Sequence, residues 1–387
     1  MTDHESQGVR MPNDGEELSR RAFVTRGLAF GAALRGLPSA EMLLGGARSG
    51  EGNLTSQGTE DFRTLFGLRY PLVQAALAGA GGPELAIAVA DAGALGSLAL
   101  TRESPEAAER LVRQVKAATR GAFFVNYVLR AEPPSLARAL EARPPAVQFS
   151  WGMPTAEHVR LVRAAGAKLG VQVTGAGSAR TALELGADYL VCQGMEAGGH
   201  VQAVRPLDET LDEVLREVSR VRAGVPVIAS GGMASGRDVR RALSRGAAGA
   251  ALGTRFVATR ESRAHPDYKR VLVEARDARD TVLTTCLNKG WPNAPHRILR
   301  ANTTFQRWEA AGSPPAGNRP GESDVVARAV NGTPLERYMV AVPETGMTGD
   351  ILALGTFAGT AVGEVRDLPP AGELVHRLWR EYEQARG

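Results

Sequence analysis

Aromatic residues make up only 5% of this 387-residue chain, and cysteine occurs just twice, at Cys192 and Cys286. No metal-ligand spacing links the two cysteines, and their separation gives no ground for a disulfide. Cys192 lies within an apolar run and reads as a small buried hydrophobe. No uninterrupted apolar stretch approaches the roughly 20 residues of a membrane-spanning helix, so stable membrane insertion is not expected. Charge is nearly balanced, with 46 Lys+Arg against 42 Asp+Glu, and no basic block is interleaved with aromatics. That excludes a nucleic-acid partner as the main reading. The chain also lacks a G-x-x-x-x-G-K-[ST] loop and an early G-x-G-x-x-G turn, so neither a P-loop nor a Rossmann nucleotide site is indicated.

Glycine is plentiful, at 45 residues, in a chain that is 43% hydrophobic and 23% charged. This is an ordinary globular composition rich in tight turns. From Arg69 the pattern alternates regularly. Short apolar runs at 71–75, 94–100, 122–126, 146–150, 168–174, 189–193, 226–230 and 248–252 read as strands. Helical spacings follow the first seven, at 83–92, 105–119, 135–142, 155–165, 178–185, 207–221 and 236–245. Pro83 sits near the first turn of its helix and Thr155 is suited to cap one. Strand-then-helix alternation with short loops argues a parallel sheet, and continuously apolar strands argue cover on both faces. The expected fold is α/β, a (β/α)8 TIM barrel with a C-terminal insertion or lid subdomain. Residues 61–260 would form the barrel, 261–368 the lid and 369–387 a terminal helix closing the barrel. Within the lid, His265–Arg276 reads as helical and Trp291–Pro320 as irregular.

Residues 1–60 read as a signal and linker. Arg20-Arg21, followed by Phe23 and a mildly apolar run from Gly27 to Leu34, resembles a twin-arginine export signal. Arg35 interrupts that run, and the other reading is a disordered extension. The two imply a periplasmic or a cytoplasmic location respectively. The polar, Gly-rich stretch 48–61 reads as linker.

The most informative segment is Gln193-Gly194-Met195-Glu196-Ala197-Gly198-Gly199-His200, which follows an apolar strand. Glycine is retained where backbone passes close to something or adopts positive φ. A histidine at the carboxyl end of such a strand stands where parallel barrels place their chemistry. Two further turns, Ser230-Gly231-Gly232-Met233 and Gly253-Thr254-Arg255, follow the last two strands. Unpaired backbone N–H groups there suit an anion, with Thr254 adding a hydroxyl and Arg255 a charge. A single terminal phosphate fits FMN. Glu196 either orients His200 or caps a turn. Tyr127, Ser150 and Trp151 lie just past strand ends. His158 reads as solvent-facing, and His265, His296 and His376 lack a supporting context.

These segments, with Pro71–Ala75, Asp91–Gly96, Val125-Asn126 and His265–Lys269, resemble the nitronate monooxygenase family over roughly Phe62 to the end. The resemblance implies non-covalently bound FMN and oxidation of alkyl nitronates by dioxygen to carbonyl compounds and nitrite. It implies that Gln74, Ala75, Asn126, Gln193, Gly198 and Gly199 lie against the flavin. Gly231, Gly232, Gly253 and Thr254 would hold its phosphate, and His200 would face a small-molecule substrate as a cation, hydrogen-bond donor or base. No metal is implied. The sequence departs from the family pattern at Ala76-Leu77 and at Ala358-Gly359-Thr360, changes expected to touch substrate choice more than flavin binding. The same loop also resembles flavin-dependent enoyl-acyl carrier protein reductases and quinone reductases, which take hydride from NAD(P)H. A phosphorylated-ligand sensor and a phosphosugar isomerase are more distant alternatives.

Overall fold

The computed structural model describes residues 48–385, with side chains from residue 57 onward. The Arg20-Arg21 pair lies outside the described residues. Among the described residues no helix is long and apolar enough to cross a membrane.

Eight parallel strands form the centre. They are β1 (Leu72–Gln74), β2 (Gly96–Ala99), β3 (Phe123–Val128), β4 (Ala146–Ser150), β5 (Lys168–Val173), β6 (Tyr189–Gln193), β8 (Val227–Ser230) and β9 (Gly249–Leu252), with a two-residue strand β7 (Gly199–His200) between β6 and β8. Each barrel strand pairs with its neighbour, and β1 pairs with β9. The last seam, between β1 and β2, closes through a bridge from Val73 to Leu95. There the Gln74 side chain continues the ladder. Its Oε1 accepts from Ser97 N–H at 3.1 Å and its Nε2 donates to the Ser97 carbonyl at 3.3 Å. The sheet is thus a closed (β/α)8 barrel.

The helices follow from capping and from apolar stripes. Helix α1 (Arg48–Phe66) precedes the barrel, and α2 (Pro83–Asp91), α3 (Pro105–Ala118), α4 (Leu136–Glu141), α5 (Ala156–Ala164), α6 (Ala176–Glu184), α7 (Leu207–Val221) and α8 (Gly236–Ser244) surround it. Ser104, Thr155 and Ser235 cap three of them through their hydroxyls, as short polar side chains do. The stretch read as linker is helical instead. Phe62 is completely buried in the floor of the barrel, packed with Tyr189, Phe124 and Ile228, and this anchor gives the helix something to grip. His158 corrects a second expectation. It is buried, completes the cap with Thr155 and bonds Glu132 at 2.8 Å.

After β9 comes a one-turn helix α9 (Thr254–Val257), then α10 (Pro266–Glu274), the hairpin β10 (Thr281–Thr284) and β11 (His296–Leu299), and α11 (Thr303–Ala310). The region 291–320 is therefore only partly irregular. Its strand pairs across sequence to β7, a partner no local pattern reveals. Helix α12 (Ala371–Gln384) packs between α8 and α2 and completes the ring. It fits closely because Gly236 is bare: a Cβ there would lie 2.4 Å from the Glu381 Cβ.

Candidate active site

The top of the barrel interior is polar. Asn126 and Gln148 are buried side by side, with Gln148 Nε2 donating to Asn126 Oδ1 at 3.2 Å, and Asn126 Nδ2 donating to Ser150 Oγ at 3.3 Å. Strand alternation puts Gln74 with Leu72 on the helix-facing side of β1, so Gln74 reaches the mouth through Ser97, whose hydroxyl donates to the Ala75 carbonyl at 3.2 Å. Tyr127 also faces the helices and bonds Ser135 at 3.2 Å.

The loop after β6 is held from several sides. Gln193 Oε1 accepts the N–H groups of Gln202 and Ala203 at 2.8 and 3.4 Å, and its Nε2 donates to the His200 carbonyl at 3.3 Å. Gln193 therefore acts as a brace for the loop it launches. Glu196 accepts from Leu207 N–H with both oxygens, at 3.1 and 2.9 Å, and so caps α7 rather than orienting His200. Gly199 has φ +74°, a conformation that a side chain would strain. Gly198 is required by proximity, since a Cβ there would meet Gly359 N at 2.5 Å. The strand β7 then pairs with β11, setting His200 opposite His296.

His200 is the most unusual polar group at the mouth. Its Nε2 is buried and makes no hydrogen bond. An unpartnered polar atom in such a place marks a group waiting for a ligand. The ring stacks on Trp291 at 4.0 Å and 19°, meets Trp151 edge-on at 5.9 Å, and lies 5.6 Å from Phe357 and 5.5 Å from His296. Burial, then the neighbouring His296 and the cations Arg102 and Arg130, push its pKa down to about 3. The imidazole is therefore neutral at ordinary pH, not the cation or the well-matched base considered from sequence. His296, which sequence reading passed over, is also neutral. Leu287 N–H donates to its Nε2 at 3.1 Å, its Nδ1 bonds the Ala294 carbonyl at 3.0 Å, and burial lowers its pKa to about 4. Trp291 was missed for the same reason: both arrive from the lid.

Beside the His200 loop, the two glycine turns lie at the ends of the neighbouring strands β8 and β9. Gly231 and Gly232 have φ +118° and +63°. The backbone N–H groups of Gly232, Met233, Gly253 and Thr254 make no hydrogen bond within the described protein. A Cβ at Gly253 would make ordinary contact with Ala75 and Leu77, each at 3.7 Å. Thr254 Oγ1 accepts from Gly359 N–H at 2.9 Å, which leaves its own hydroxyl proton to donate. Arg255 does not join them. It is buried on the far side, paired with Asp367. Thr360, at the second departure from the family pattern, packs at this cradle, with its Oγ1 3.2 Å from where a Gly232 Cβ would stand.

Comparison with known proteins agrees with this architecture. Residues 60–135 and 132–381 match the model of the nitronate monooxygenase family. A nitronate monooxygenase of Pseudomonas aeruginosa is 31% identical over 84% of this chain and 99% of its own length. That of Paraburkholderia phytofirmans is 29% identical over 83% of this chain and 94% of its own. Among solved structures, FabK from Thermotoga maritima superposes with a TM-score of 0.69 at 27% identity, covering 84% of this chain and 96% of that one. A nitroalkane oxidase from Streptomyces ansochromogenes superposes at 0.65 and 26% identity, covering 84% and 99%. An oxidoreductase barrel with a buried, neutral imidazole at its mouth thus has its place: the chain belongs to the nitronate monooxygenase family.

Proposed function

We propose that the barrel mouth binds FMN and that the enzyme oxidises nitronates with dioxygen, releasing a carbonyl compound and nitrite. The observation that carries this reading is the pairing of two features at one mouth. One is a cluster of backbone N–H groups with no partner in the described protein, a setting that suits a phosphate. The other is a buried imidazole with an unpartnered Nε2. When bound, the flavin supplies the electron acceptor and the route to oxygen. The chain supplies the rest. Gly231, Gly232, Gly253 and Thr254 would hold the phosphate, while Ala75, Asn126, Gly198 and Gly199 would border the ring and ribityl chain. Gln74 and Gln193 act behind these groups, the first stitching the barrel seam and the second fixing the His200 loop.

A neutral imidazole offers one N–H donor and one lone pair. Its N–H suits a nitro oxygen, whereas a depressed pKa makes it a weak base toward a neutral nitroalkane. The enzyme is therefore read as acting on the preformed nitronate anion.

The test is an absorption spectrum of purified protein, followed by anaerobic mixing. Flavin absorbance that bleaches with a nitronate, and is restored by air with release of nitrite, is the expected result. Rapid bleaching by NAD(P)H with no response to nitronate would overturn it in favour of a reductase.

A further inference from the structure

Although tryptophan occurs only four times in the chain, two of these residues converge on His200. Trp291 lies flat on the imidazole at 4.0 Å, and Trp151 meets Trp291 edge-on at 4.9 Å. Trp151 stands just past β4 with φ +60°, a left-handed backbone that is unfavourable for a bulky residue. Strain of this kind persists where the surroundings hold the residue for a purpose. Arg130, from the end of β3, lies over the Trp291 ring at 5.4 Å and bonds the Gly290 carbonyl. Arg102, from the end of β2, donates to the Val340 carbonyl at 2.8 Å. Both guanidiniums are thus tied to lid carbonyls, and among the described residues neither forms an ion pair. The acid that Arg102 feels is Glu344, which itself leans toward Arg263 at 3.5 Å. Two cations without an ion-pair partner, one stacked indole and one edge-on indole therefore frame one imidazole.

We propose that Trp151, Trp291, Arg102 and Arg130 form a specificity element for a flat, conjugated anion, so that the preferred substrate is an aryl-conjugated nitronate rather than a compact alkyl one. A planar ligand that packs against this wall of indoles and imidazole keeps aromatic contacts with it. A puckered or short alkyl group makes fewer of them. The guanidiniums supply the charge preference, since they set a positive field at the imidazole that opposes its protonation and favours an anion beside it. The substrate identity rests on the nitronate reading above; the recognition of flat anions does not.

Two measurements test it. In the first, the holoenzyme is assayed with the nitronates of phenylnitromethane and nitroethane. The expected kcat/KM ratio favours the aryl substrate by about tenfold or more, the scale of one or two aromatic contacts. Trp291→Leu and Trp151→Leu bring that ratio toward unity, and Trp291→Phe, which keeps a stacking ring, retains most of it. A wild-type ratio near unity, or a ratio unmoved in both leucine variants, overturns the proposal. In the second, cinnamate and cyclohexanecarboxylate are titrated into the full chain while tryptophan fluorescence is followed. Cinnamate is expected to quench saturably and more tightly, with roughly tenfold weaker binding in Arg102→Gln/Arg130→Gln. Equal binding of the two carboxylates overturns it. Discrimination between the carboxylates without oxidation of any nitronate would sink the proposed reaction alone. Nitronate oxidation without either preference would sink this inference alone.

Discussion

The two ends of the barrel are made from the same eight strands and are chemically opposite. At the floor, the inward positions are Val73, Leu95, Phe124, Tyr189, Val191 and Ile228, sealed by Phe62 from α1. At the mouth, the next inward positions on the same strands are Ser97, Asn126, Gln148, Gln193 and Ser230. One end removes apolar surface from water; the other keeps buried polar groups that must find partners. The floor therefore accounts for stability and the mouth for chemistry, the division expected of this architecture. Substitutions at the two ends should separate cleanly.

The largest effect is expected at the mouth. His200→Ala should lower turnover about 100- to 1,000-fold, the range for losing one positioned hydrogen-bond donor. Flavin content and melting temperature should stay near wild type. Full activity would break the comparison, as would loss of folding. At the floor the reverse holds. Phe62→Ala should cost about 3–5 kcal/mol of stability, read from denaturant unfolding, while kcat of the folded fraction is unchanged. A smaller effect is expected at the cradle. Gly253→Asp places a carboxylate against the free N–H groups, and flavin retained through gel filtration should fall by roughly tenfold or more. Unchanged flavin content would remove the phosphate assignment.

A further contrast lies in pH. His200 and His296 have folded pKa values of about 3 and 4, below the ordinary value near 6.5. Between those limits the unfolded chain binds protons that the native state refuses, so stability falls as pH drops through 6.5 and is largely intact above it. The slope approaches about 1.4 kcal/mol per pH unit for each group. His296→Gln should flatten it, and an identical slope in that variant would show that the acid sensitivity lies elsewhere.

Much of this was legible in the chain. All eight barrel strands were marked by apolar runs because both faces of each are covered, and the His200 loop was marked by its glycines. The seventh and eighth strand ends announced themselves in the same way through Gly231-Gly232 and Gly253. What was hidden depends on distance along the chain. Nothing near His296 or Trp291 says that β11 will pair with β7. His158 looked exposed because its helix neighbours are charged, yet its ring completes a cap and stacks on Phe149 at 5.5 Å. Arg255 looked like a phosphate ligand until the far-off Asp367 claimed it. Helix α1 was hidden because its composition is polar and only Phe62 and its neighbours anchor it.

The pairing of β7 with β11 has a consequence for how the protein is made. His200 is emitted from the ribosome nearly a hundred residues before the strand that holds it. A half-synthesised chain can close much of its cylinder, yet its reactive imidazole has no fixed bearing until the lid arrives. Such a nascent barrel would take up a coloured prosthetic group before it could turn over anything with it, and catalytic competence would be the last property the growing molecule acquires.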